Sequence, residues 1–389
     1  MKLTAKIKLT PTLEQAEILH ETLSRANDAC NFISEIAWRE QNFNQYDLHE
    51  RCYYQVRDDF GLSAQMVIRA LGKVSSAYKS SIALLKKRNQ KIKAKNKKNK
   101  SLKELRKCTF GKNGAFPYDA RLLSYLLDDQ VVSIRTLEGR IKVPFQAGEP
   151  QLEILKYQKG ESDLVFIRGH FYVYATCDIP VNDPDEVEEF LGVDLGIVNI
   201  AMTSDGDVYK GQYVNRVRHR NRSLRKKLQK KGTKSAKRLL KKRSKKESRF
   251  ANDVNHCISK QLVLEAKRTS RGIALEDLKG IREGVRLRKS QRNQLHNWSF
   301  DDLKQKIEYK CEKYGVPLVL VDPRNTSRTC PDCGHIDKEN RKSQSSFVCQ
   351  SCGFSAHADL VGATNISRLA KQVRSRRAAS VNAPHADIF

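Results

Sequence analysis

The sequence LGVDLG, residues 191–196, places one acidic residue, Asp194, inside an apolar run that predicts a buried strand. Burying a carboxylate without a partner costs several kcal/mol, so Asp194 requires a compensating charge or hydrogen bonds. A metal ion is one source of that charge, and a hydrogen-bonded turn is the alternative. On its own, this acid does not distinguish a metal site from a turn.

Two further acids occur in comparable settings. Glu276 ends the apolar run IAL at residues 273–275, and Asp359 begins a segment of small residues that continues to Ile366. We expect Asp194 and Glu276 on strands and Asp359 on a helix. Three converging carboxylates can hold a pair of Mg²⁺ ions about 4 Å apart, which clamp the attacking and leaving oxygens in phosphodiester hydrolysis. Each acid alone is weak evidence, but the set suggests a metal-dependent nuclease.

The charge of the chain indicates a polyanionic partner. Lys and Arg total 73 of the 389 residues against 44 Asp and Glu, which gives a formal net charge of +29. Two stretches, residues 86–107 and 216–249, are especially rich in Lys and Arg. Nucleic-acid phosphates would relieve the self-repulsion of such stretches. A solvated, solubilising surface is the alternative interpretation.

The sequence contains neither a run of about 18 apolar residues nor an apolar signal sequence after Met1. Most of its ten cysteines are scattered singly, a pattern that does not indicate secreted disulfides. The scattered residues are Cys30, Cys52, Cys108, Cys177, Cys257 and Cys311. We therefore expect a soluble intracellular protein with no membrane partner.

The remaining four cysteines form two CxxCG motifs separated by about 15 residues. This spacing predicts one tetrahedral Zn²⁺ site with four thiolate ligands. The ligands are Cys330, Cys333, Cys349 and Cys352. Gly334 and Gly353 follow the motifs and allow the backbone to turn tightly toward the sulfurs. Because four thiolates complete the coordination, we predict a structural zinc site that does not catalyse.

The first half of the chain predicts helices inserted into a sheet. Residues 2–9 alternate like a strand, and helical periodicity follows over residues 13–26 and 64–85. Residues 131–144 and 163–180 then predict two β-hairpins. We expect the isolated first strand to join this later sheet or small barrel, which makes the first domain discontinuous in sequence.

The second half predicts a different α/β region. Its strand signals and helix signals alternate, and the basic stretch is expected to form a helix pair broken near Gly232. The predicted strands are residues 190–195, 197–203, 207–209, 272–278 and 316–321. Helices are predicted over residues 250–267 and 301–314. Asp194 and Glu276 fall in two of these strands.

Several motifs occur in an order that resembles the TnpB family of transposon-encoded, RNA-guided nucleases, which are related to type V CRISPR effectors. They are GVDLG at 192–196, LEDL at 275–278, NTSRTC at 325–330, the paired cysteine motifs, and Asp359 with TNI at 364–366. The resemblance covers residues 190–366 in order. The N-terminal half agrees with the family in layout more than in motif.

The resemblance implies a multidomain α+β fold. An RNase H-like (RuvC) α/β nuclease domain would contain the four-cysteine zinc ribbon as an insertion, and an N-terminal β-barrel (wedge) domain would contain a helical recognition insertion. The implied domains are residues 1–10 and 108–182 (wedge), 11–107 (helical recognition), 183–324 and 356–370 (RuvC-like nuclease), 325–355 (zinc ribbon) and 371–389 (a flexible tail).

The resemblance also implies site residues and partners. Asp194, Glu276 and Asp359 would be the three catalytic acids that bind two Mg²⁺ ions, and the four cysteines would bind one structural Zn²⁺. The partners would be a guide RNA derived from the transposon end and a double-stranded DNA target beside a short adjacent motif. Such a protein would act as a monomeric ribonucleoprotein on DNA in a prokaryotic cytoplasm.

The sequence departs from the family pattern near the third acid. Val361 and Gly362 stand where the family usually has Asn and Ala, Ala358 replaces a basic residue, and Arg328 replaces a frequent Gln. None of these changes removes a carboxylate. Three alternatives stay open: a small type V CRISPR effector, a catalytically weak RNA-guided repressor of the same fold, and a DNA-strand transferase, for which the sequence offers no separate site.

Overall fold

The computed structural model describes residues 1–94, 102–181, 183–278, 300–343 and 345–381. The chain divides into two compact units, Met1–Pro180 and Val181–Phe389. Each unit has its own hydrophobic core. The mixed α+β content expected from the sequence is therefore present in both units.

In its described residues, the first unit combines a seven-stranded sheet with four helices. The helices are α1 (Leu13–Glu40), α2 (Gln45–Phe60), α3 (Ala64–Ala94) and α4 (Glu149–Leu155). The strands are β1 (Lys2–Leu9), β2 (Phe116–Tyr118), β3 (Leu123–Leu126), β4 (Val131–Thr136), β5 (Gly139–Gln146), β6 (Gln158–Ile167) and β7 (His170–Asp178). The strand order is β2-β6-β7-β1-β5-β4-β3.

The sheet of the first unit is antiparallel and nearly closed. Both predicted hairpins are confirmed, because β4 pairs with β5 and β6 pairs with β7. Near the two ends of the strand order, the hydroxyl groups of Tyr125 on β3 and Ser162 on β6 lie 2.7 Å apart. β1 pairs with both β5 and β7, as its isolation in the sequence predicted.

The helices of the first unit form because local signals and apolar spacing agree. Thr12 and Gln15 form a capping box at the start of α1, and Gln41 ends the helix in the left-handed conformation at φ 51°. α1 buries a stripe that includes Leu19 and Leu23. The basic stretch at 86–107 begins as the last turns of α3, and its residues 95–101 lie outside the described residues.

The second unit contains a five-stranded sheet, a two-stranded sheet near the end of the zinc ribbon segment at residues 325–355, and four described helices. The strands are β8 (Phe190–Asp194), β9 (Asn199–Thr203), β10 (Val208–Lys210), β11 (Gly272–Glu276), β12 (Leu318–Val321), β13 (Ser346–Val348) and β14 (Ser355–His357). The helices are α5 (Gln212–Lys231), α6 (Lys234–Arg268), α7 (Phe300–Tyr314) and α8 (Ala358–Val381).

The larger sheet has the order β10-β9-β8-β11-β12, in which β8, β11 and β12 are parallel. α8 lies directly on β8, and Gly192 makes this possible. A Cβ atom at Gly192 would overlap the backbone carbonyl oxygen of Ala363 in α8. Beside it, Ser367 donates a hydrogen bond of 2.6 Å to the carbonyl oxygen of Phe190. The missing side chain at Gly192 therefore brings α8 against the strand that carries Asp194.

Two boundaries differ from the sequence prediction. Gly232 ends α5 with φ +65°, as predicted, but α6 continues as one helix through residues 234–268 because its apolar face persists beyond the basic part. α8 continues to Val381, so residues 371–381 of the predicted flexible tail are helical, and residues 382–389 lie outside the described residues. Among the described helices, none combines the length and apolar character needed to cross a membrane.

Candidate active site

Asp194 and Glu276 lie at the same edge of the sheet. β8 and β11 are adjacent and parallel, with Val193 opposite Leu275, so the acid that follows each of these residues emerges at the carboxyl end of its strand. Both acids are partly covered, although the strands before them are buried. The carboxyl edge of a parallel sheet is where open α/β folds place their ligands.

Asp359 lies in the first turn of α8, on the other side of the zinc-ligand motifs in sequence. Two residues contact its carboxylate. The side-chain amide of Asn199 on β9 donates a hydrogen bond of 3.0 Å to Oδ2, and the guanidinium of Arg341 lies 3.7 Å from Oδ1. Asp359 is therefore held by a neutral donor from the sheet and by a cation from the ribbon.

The pKa of Asp194 responds to the charges of the other two acids. Burial, together with the negative charges of Glu276 and Asp359, raises the pKa of Asp194 to about 7. The positive charge of Arg341 opposes this rise. Asp194 therefore lies within electrostatic range of both other carboxylates. The assignment of the three acids to one metal site stays a prediction.

Glu276 is also buried, and burial raises its pKa above the ordinary value. The hydroxyl of Thr326 opposes this effect by donating a hydrogen bond of 2.5 Å to Oε1 of Glu276. Thr326 is itself positioned by Asn365 of α8, whose amide donates to the carbonyl oxygens of Thr326 and Thr329 at 2.8 Å each. The last helix therefore fixes the loop that supports the second acid.

Gly362 lies against the first acid. A Cβ atom at Gly362 would stand 3.2 Å from Oδ2 and 3.4 Å from Cγ of Asp194. The first of these distances is shorter than ordinary van der Waals contact, so a side chain here would push on the carboxylate. The glycine at this position therefore leaves Asp194 more room than an alanine would.

The four predicted zinc ligands converge in the ribbon. Their sulfur atoms all lie within 4.8 Å of one another. The Sγ atoms of Cys330 and Cys352 are 3.6 Å apart, as are those of Cys333 and Cys349. Tetrahedral zinc sites with four thiolates need such a cluster. The spacing of the CxxCG motifs thus predicted the cluster correctly.

The backbone around the cysteines is arranged to stabilise thiolates. Gly334 and Gly353 both adopt φ +76°, a left-handed conformation that glycine adopts without strain. The backbone amides of Cys352 and Ser351 donate to the Cys349 sulfur and, with the neighbouring thiols, lower the pKa of that thiol to about 6. Burial and the neighbouring sulfurs raise the pKa of Cys352 instead. Because thiolates are the metal-binding form, the backbone prepares Cys349 for zinc, and a bound metal would have to displace the proton of Cys352.

The ribbon packs against the start of α8. Phe347 of β13 is fully buried in a small cluster with Ala358 and Val361, the residues on either side of Asp359 along the helix. Asn340, also fully buried, donates to the carbonyl oxygens of Arg328 and His335. These contacts connect the cysteine ribbon mechanically to the third acid.

Within the described part of the chain, the cysteines are the one group of three or more metal-ligand atoms within 4.8 Å of one another. The three carboxylates are therefore spaced more widely than a single closed metal site. Sequence reasoning missed the residues that surround them, namely Asn199, Thr326 and Arg341. Thr326 belonged to a motif already noted, but neither Asn199 nor Arg341 carried a local signal.

The basic stretch at residues 216–249 lies on α5 and α6, whose facing sides form a groove of about 300 Å³. Arg218, Arg222 and Phe250 are among the residues that line it. Burial lowers the pKa of Arg218, and Arg225 forms an ion pair with Glu247. Most of the other basic side chains on these helices are exposed.

Two family models match parts of the chain between residues 172 and 366. The model for the Cas12f1-like TNB domain matches residues 300–366, and a model described as a probable transposase matches residues 172–279. The first match contains the four cysteines and Asp359. The second contains Asp194 and Glu276.

Several curated proteins are similar in sequence. The TnpB-like protein MJ0751 of Methanocaldococcus jannaschii is 32% identical over 209 residues, which cover 51% of this chain and 74% of that protein. A putative RNA-guided DNA endonuclease, InsQ of Escherichia coli, is 27% identical over 51% of this chain and 53% of its own length. The Cas12f1 endodeoxyribonuclease of Sulfoacidibacillus thermotolerans is 40% identical over an aligned segment that covers 31% of this chain and 27% of that protein.

The chain spans 27% and 44% of the lengths of the two Cas12f1 relatives from Sulfoacidibacillus thermotolerans and Syntrophomonas palmitatica.

Solved structures match almost the whole fold. A Cas12f1–sgRNA–target DNA complex gives a TM-score of 0.59 at 16% identity and covers 92% of this chain and 83% of that chain. The mini-RNA-guided endonuclease CRISPR-Cas_phi3 gives 0.57 at 12% identity, with 95% and 92% covered. At these identities the similarity concerns the fold.

Proposed function

Because this chain belongs to the family of TnpB-like proteins, we propose that it is an RNA-guided DNA endonuclease of a transposable element. It would cleave target DNA beside a short adjacent motif by Mg²⁺-dependent phosphodiester hydrolysis. The second unit would be the RuvC-like nuclease domain with the zinc ribbon inserted before its last helix. Base pairing with the guide RNA would read most of the target sequence.

One observation carries this proposal: the pKa of Asp194 is raised to about 7 by burial and by the charges of Glu276 and Asp359. Three acids on two parallel strands and a helix N-terminus create a surplus of negative charge that a fold would not retain for stability. A site with surplus negative charge favours cations. We therefore assign Asp194, Glu276 and Asp359 as the catalytic acids.

The donor set fits Mg²⁺, which prefers carboxylate oxygens. Ligands of a two-ion site need not meet at one point, which agrees with carboxylates spaced more widely than the cysteines. When bound, the two ions would supply Lewis-acid stabilisation of the phosphodiester and activation of the attacking water. No nucleophilic side chain is required for this reaction.

The surrounding residues would hold the acids in place. Asn199 orients the Asp359 carboxylate through its hydrogen bond of 3.0 Å, and Thr326 orients Glu276 at 2.5 Å. Arg341 lies beside Asp359 and bears a permanent positive charge, so it would also face the phosphate that is cut. These roles explain why donors from three different segments meet at one edge of the sheet.

Guide RNA and double-stranded DNA are the proposed partners. The net charge of +29 and the exposed basic side chains on α5 and α6 support contacts with phosphates. Zn²⁺ in the four-cysteine cluster would stabilise the ribbon. Because the ribbon packs against Ala358 and Val361, zinc would also hold the helix turn that carries Asp359.

The direct test is cleavage by the purified ribonucleoprotein. The protein is expressed with its flanking DNA, the RNA that copurifies is sequenced, and plasmids with a matching target and a randomised adjacent segment are incubated with Mg²⁺. We expect cleavage beside one short motif and none by Asp194→Asn. A wild-type protein that cuts under no adjacent motif, or a variant that cuts normally, would refute the assignment.

A second candidate is a small type V CRISPR effector. The 40% identity to a Cas12f1 protein over the segment that aligns favours it. The chemistry of the two candidates is the same, and they differ in the source of the guide. RNA that maps to a repeat array would favour the effector, whereas RNA from the transposon end would favour the transposon nuclease.

A further inference from the structure

We infer that the outward face of strands β1 and β7 in the first unit is a binding site for unpaired RNA, in which bases stack on Tyr172 and Tyr174 and phosphates contact Lys6 and Lys8. The inference deepens the proposed function, because it names a surface for a single-stranded part of the guide. It depends on that function only for the origin of the RNA.

The alternation of the two strands creates this face. On β1, Ala5, Ile7 and Leu9 are buried, so the lysines between them point outward. On β7, Val173 and Ala175 are buried, and the tyrosines at 172 and 174 point outward and are half-buried. One strand therefore presents cations and its neighbour presents aromatic rings.

The register places these side chains opposite one another. Lys6 pairs with Tyr174 and Lys8 pairs with Tyr172 across the antiparallel ladder. The Nζ atom of Lys6 lies 4.4 Å from the centroid of the Tyr172 ring and 5.3 Å from that of the Tyr174 ring. A single ammonium thus contacts both rings.

Cross-strand pairs and cation–π contacts of this kind contribute only about 0.5–1 kcal/mol at exposed sites. A nucleic-acid phosphate can therefore draw the Lys6 ammonium away from the rings at little cost. The ring faces that Lys6 covers would then accept bases. Sheet surfaces with outward aromatic residues bind single-stranded RNA in this manner.

The charge of the face is not neutralised by its neighbours. Asp163 lies opposite Tyr174 on β6, where burial raises the pKa of its carboxyl and the charge of Lys73 partly offsets its negative charge. Asp178, opposite Lys2, lies 3.8 Å from the N-terminal amine. Within the described residues, neither Lys6 nor Lys8 forms an ion pair. Both lysines are therefore available to phosphates.

The spacing of the rings favours unpaired bases over a duplex. Residues two apart on a strand are separated by about 7 Å, roughly twice the 3.4 Å rise between stacked bases. One base can therefore lie between Tyr172 and Tyr174. In a duplex the base faces are already stacked on each other, so only a single strand offers them to protein side chains.

The test compares binding of a fluorescent oligouridine and of an RNA duplex of equal length to the full chain. Tyr172→Leu/Tyr174→Leu keeps apolar bulk but removes the rings, and we expect about tenfold weaker oligouridine binding with duplex binding unchanged. Tyr172→Phe/Tyr174→Phe should bind like wild type. The matched control is Tyr157→Leu, because Tyr157 is a 44% exposed tyrosine of the same unit outside this face.

Two further measurements address the lysine and the location. Lys6→Ala should reduce the salt dependence of oligouridine binding by about one phosphate contact. Photo-crosslinking with 5-iodouridine should label the peptide that contains Tyr172 and Tyr174. Three results would overturn the inference. The leucine variant could bind oligouridine as wild type does, it could lose oligouridine and duplex binding equally, or the crosslinks could fall only on other peptides. These assays contain no Mg²⁺ and no target DNA, so a failure of nuclease activity leaves their outcome unaffected.

Discussion

The guanidinium of Arg341, in the cysteine ribbon, lies 3.7 Å from the carboxylate of Asp359 in the last helix. The same positive charge lowers the pKa of both Asp194 and Glu276. Arg341 is therefore a counter-charge for all three acids. It also competes with any cation that the acids attract.

Replacement of Arg341 should separate metal binding from cleavage. Removing one positive charge about 4 Å from a carboxylate changes its interaction with a cation by ~1 kcal/mol, or about fivefold in affinity. We expect Arg341→Ala to bind Mn²⁺ about fivefold more tightly, measured by electron paramagnetic resonance, and to cleave DNA more slowly. The control is Arg324→Ala, since Arg324 is 88% exposed and pairs with Asp322. Weaker Mn²⁺ binding by the Arg341 variant would contradict this view.

The metal-free protein should lose stability as pH rises through the range of Asp194. Its pKa is near 3.8 in an unfolded chain and about 7 in the fold, so folding takes up a proton between these values. The free energy of unfolding therefore falls from about pH 4 to about pH 7, by about 4 kcal/mol for this group. Thermal melts of wild type and Asp194→Asn test the expectation. A variant with the same pH dependence as wild type would show that other groups dominate.

Thr326 should support Glu276 through its hydroxyl group. Thr326→Val leaves a buried carboxylate without its donor at 2.5 Å, which costs about 1–3 kcal/mol. We expect the pKa of Glu276 to rise and cleavage to fall at neutral pH, with the optimum shifted to higher pH. Thr326→Ser retains the hydroxyl and should restore both. A serine variant as impaired as the valine variant would assign the effect to packing instead.

Gly362→Ala should change stability and metal binding in opposite directions. Alanine is favoured over glycine inside a helix by about 1 kcal/mol, but its Cβ would lie 3.2 Å from Oδ2 of Asp194. We expect a higher melting temperature and weaker Mn²⁺ binding. A variant with unchanged metal binding would show that the Asp194 side chain adapts. Gly232→Ala is not a suitable control, because Gly232 has φ +65° and an alanine would be strained in this left-handed conformation.

Loss of zinc should destabilise the helix turn that carries Asp359 but should leave the stability of the first unit unchanged. Without the metal, the cluster of Phe347, Ala358 and Val361 loses its support from the ribbon. Hydrogen exchange should accelerate in residues 328–366 and stay unchanged in residues 1–94. Cys349→Ser should reproduce the effect of chelation, whereas Cys257→Ser, at an exposed cysteine outside the cluster, should not. Chelation should lower cleavage without changing the adjacent motif, and a changed motif would place the ribbon in the recognition surface.

Much of this fold was predictable because its signals are local. The hairpins, the break at Gly232 and the cysteine cluster each follow from residues close together in sequence. The comparisons with known proteins confirm the resemblance to the TnpB family that the ordered motifs indicated. The short strands β2 and β3 were missed because three or four residues carry too little periodicity to detect.

Part of the predicted flexible tail is helical, which the composition of the segment did not indicate. Residues 371–381 continue α8 because the helix is already nucleated and packed on β8, and Lys371 also bonds to Glu189 at 2.6 Å. Propagating an established helix needs little apolar periodicity. A polar, basic segment therefore extended further than its composition suggested.

The sequence by itself determined which residues can carry chemistry: three acids at the ends of apolar segments and four cysteines at zinc spacing. Only the tertiary structure decided what surrounds them. Asn199 reaches Asp359 across 160 residues, and Thr326 reaches Glu276 across 50. Periodicity reports on neighbours within one helix or strand, whereas such contacts depend on how those elements pack. The acids could therefore be named from the chain, but their charges and partners arise from the fold.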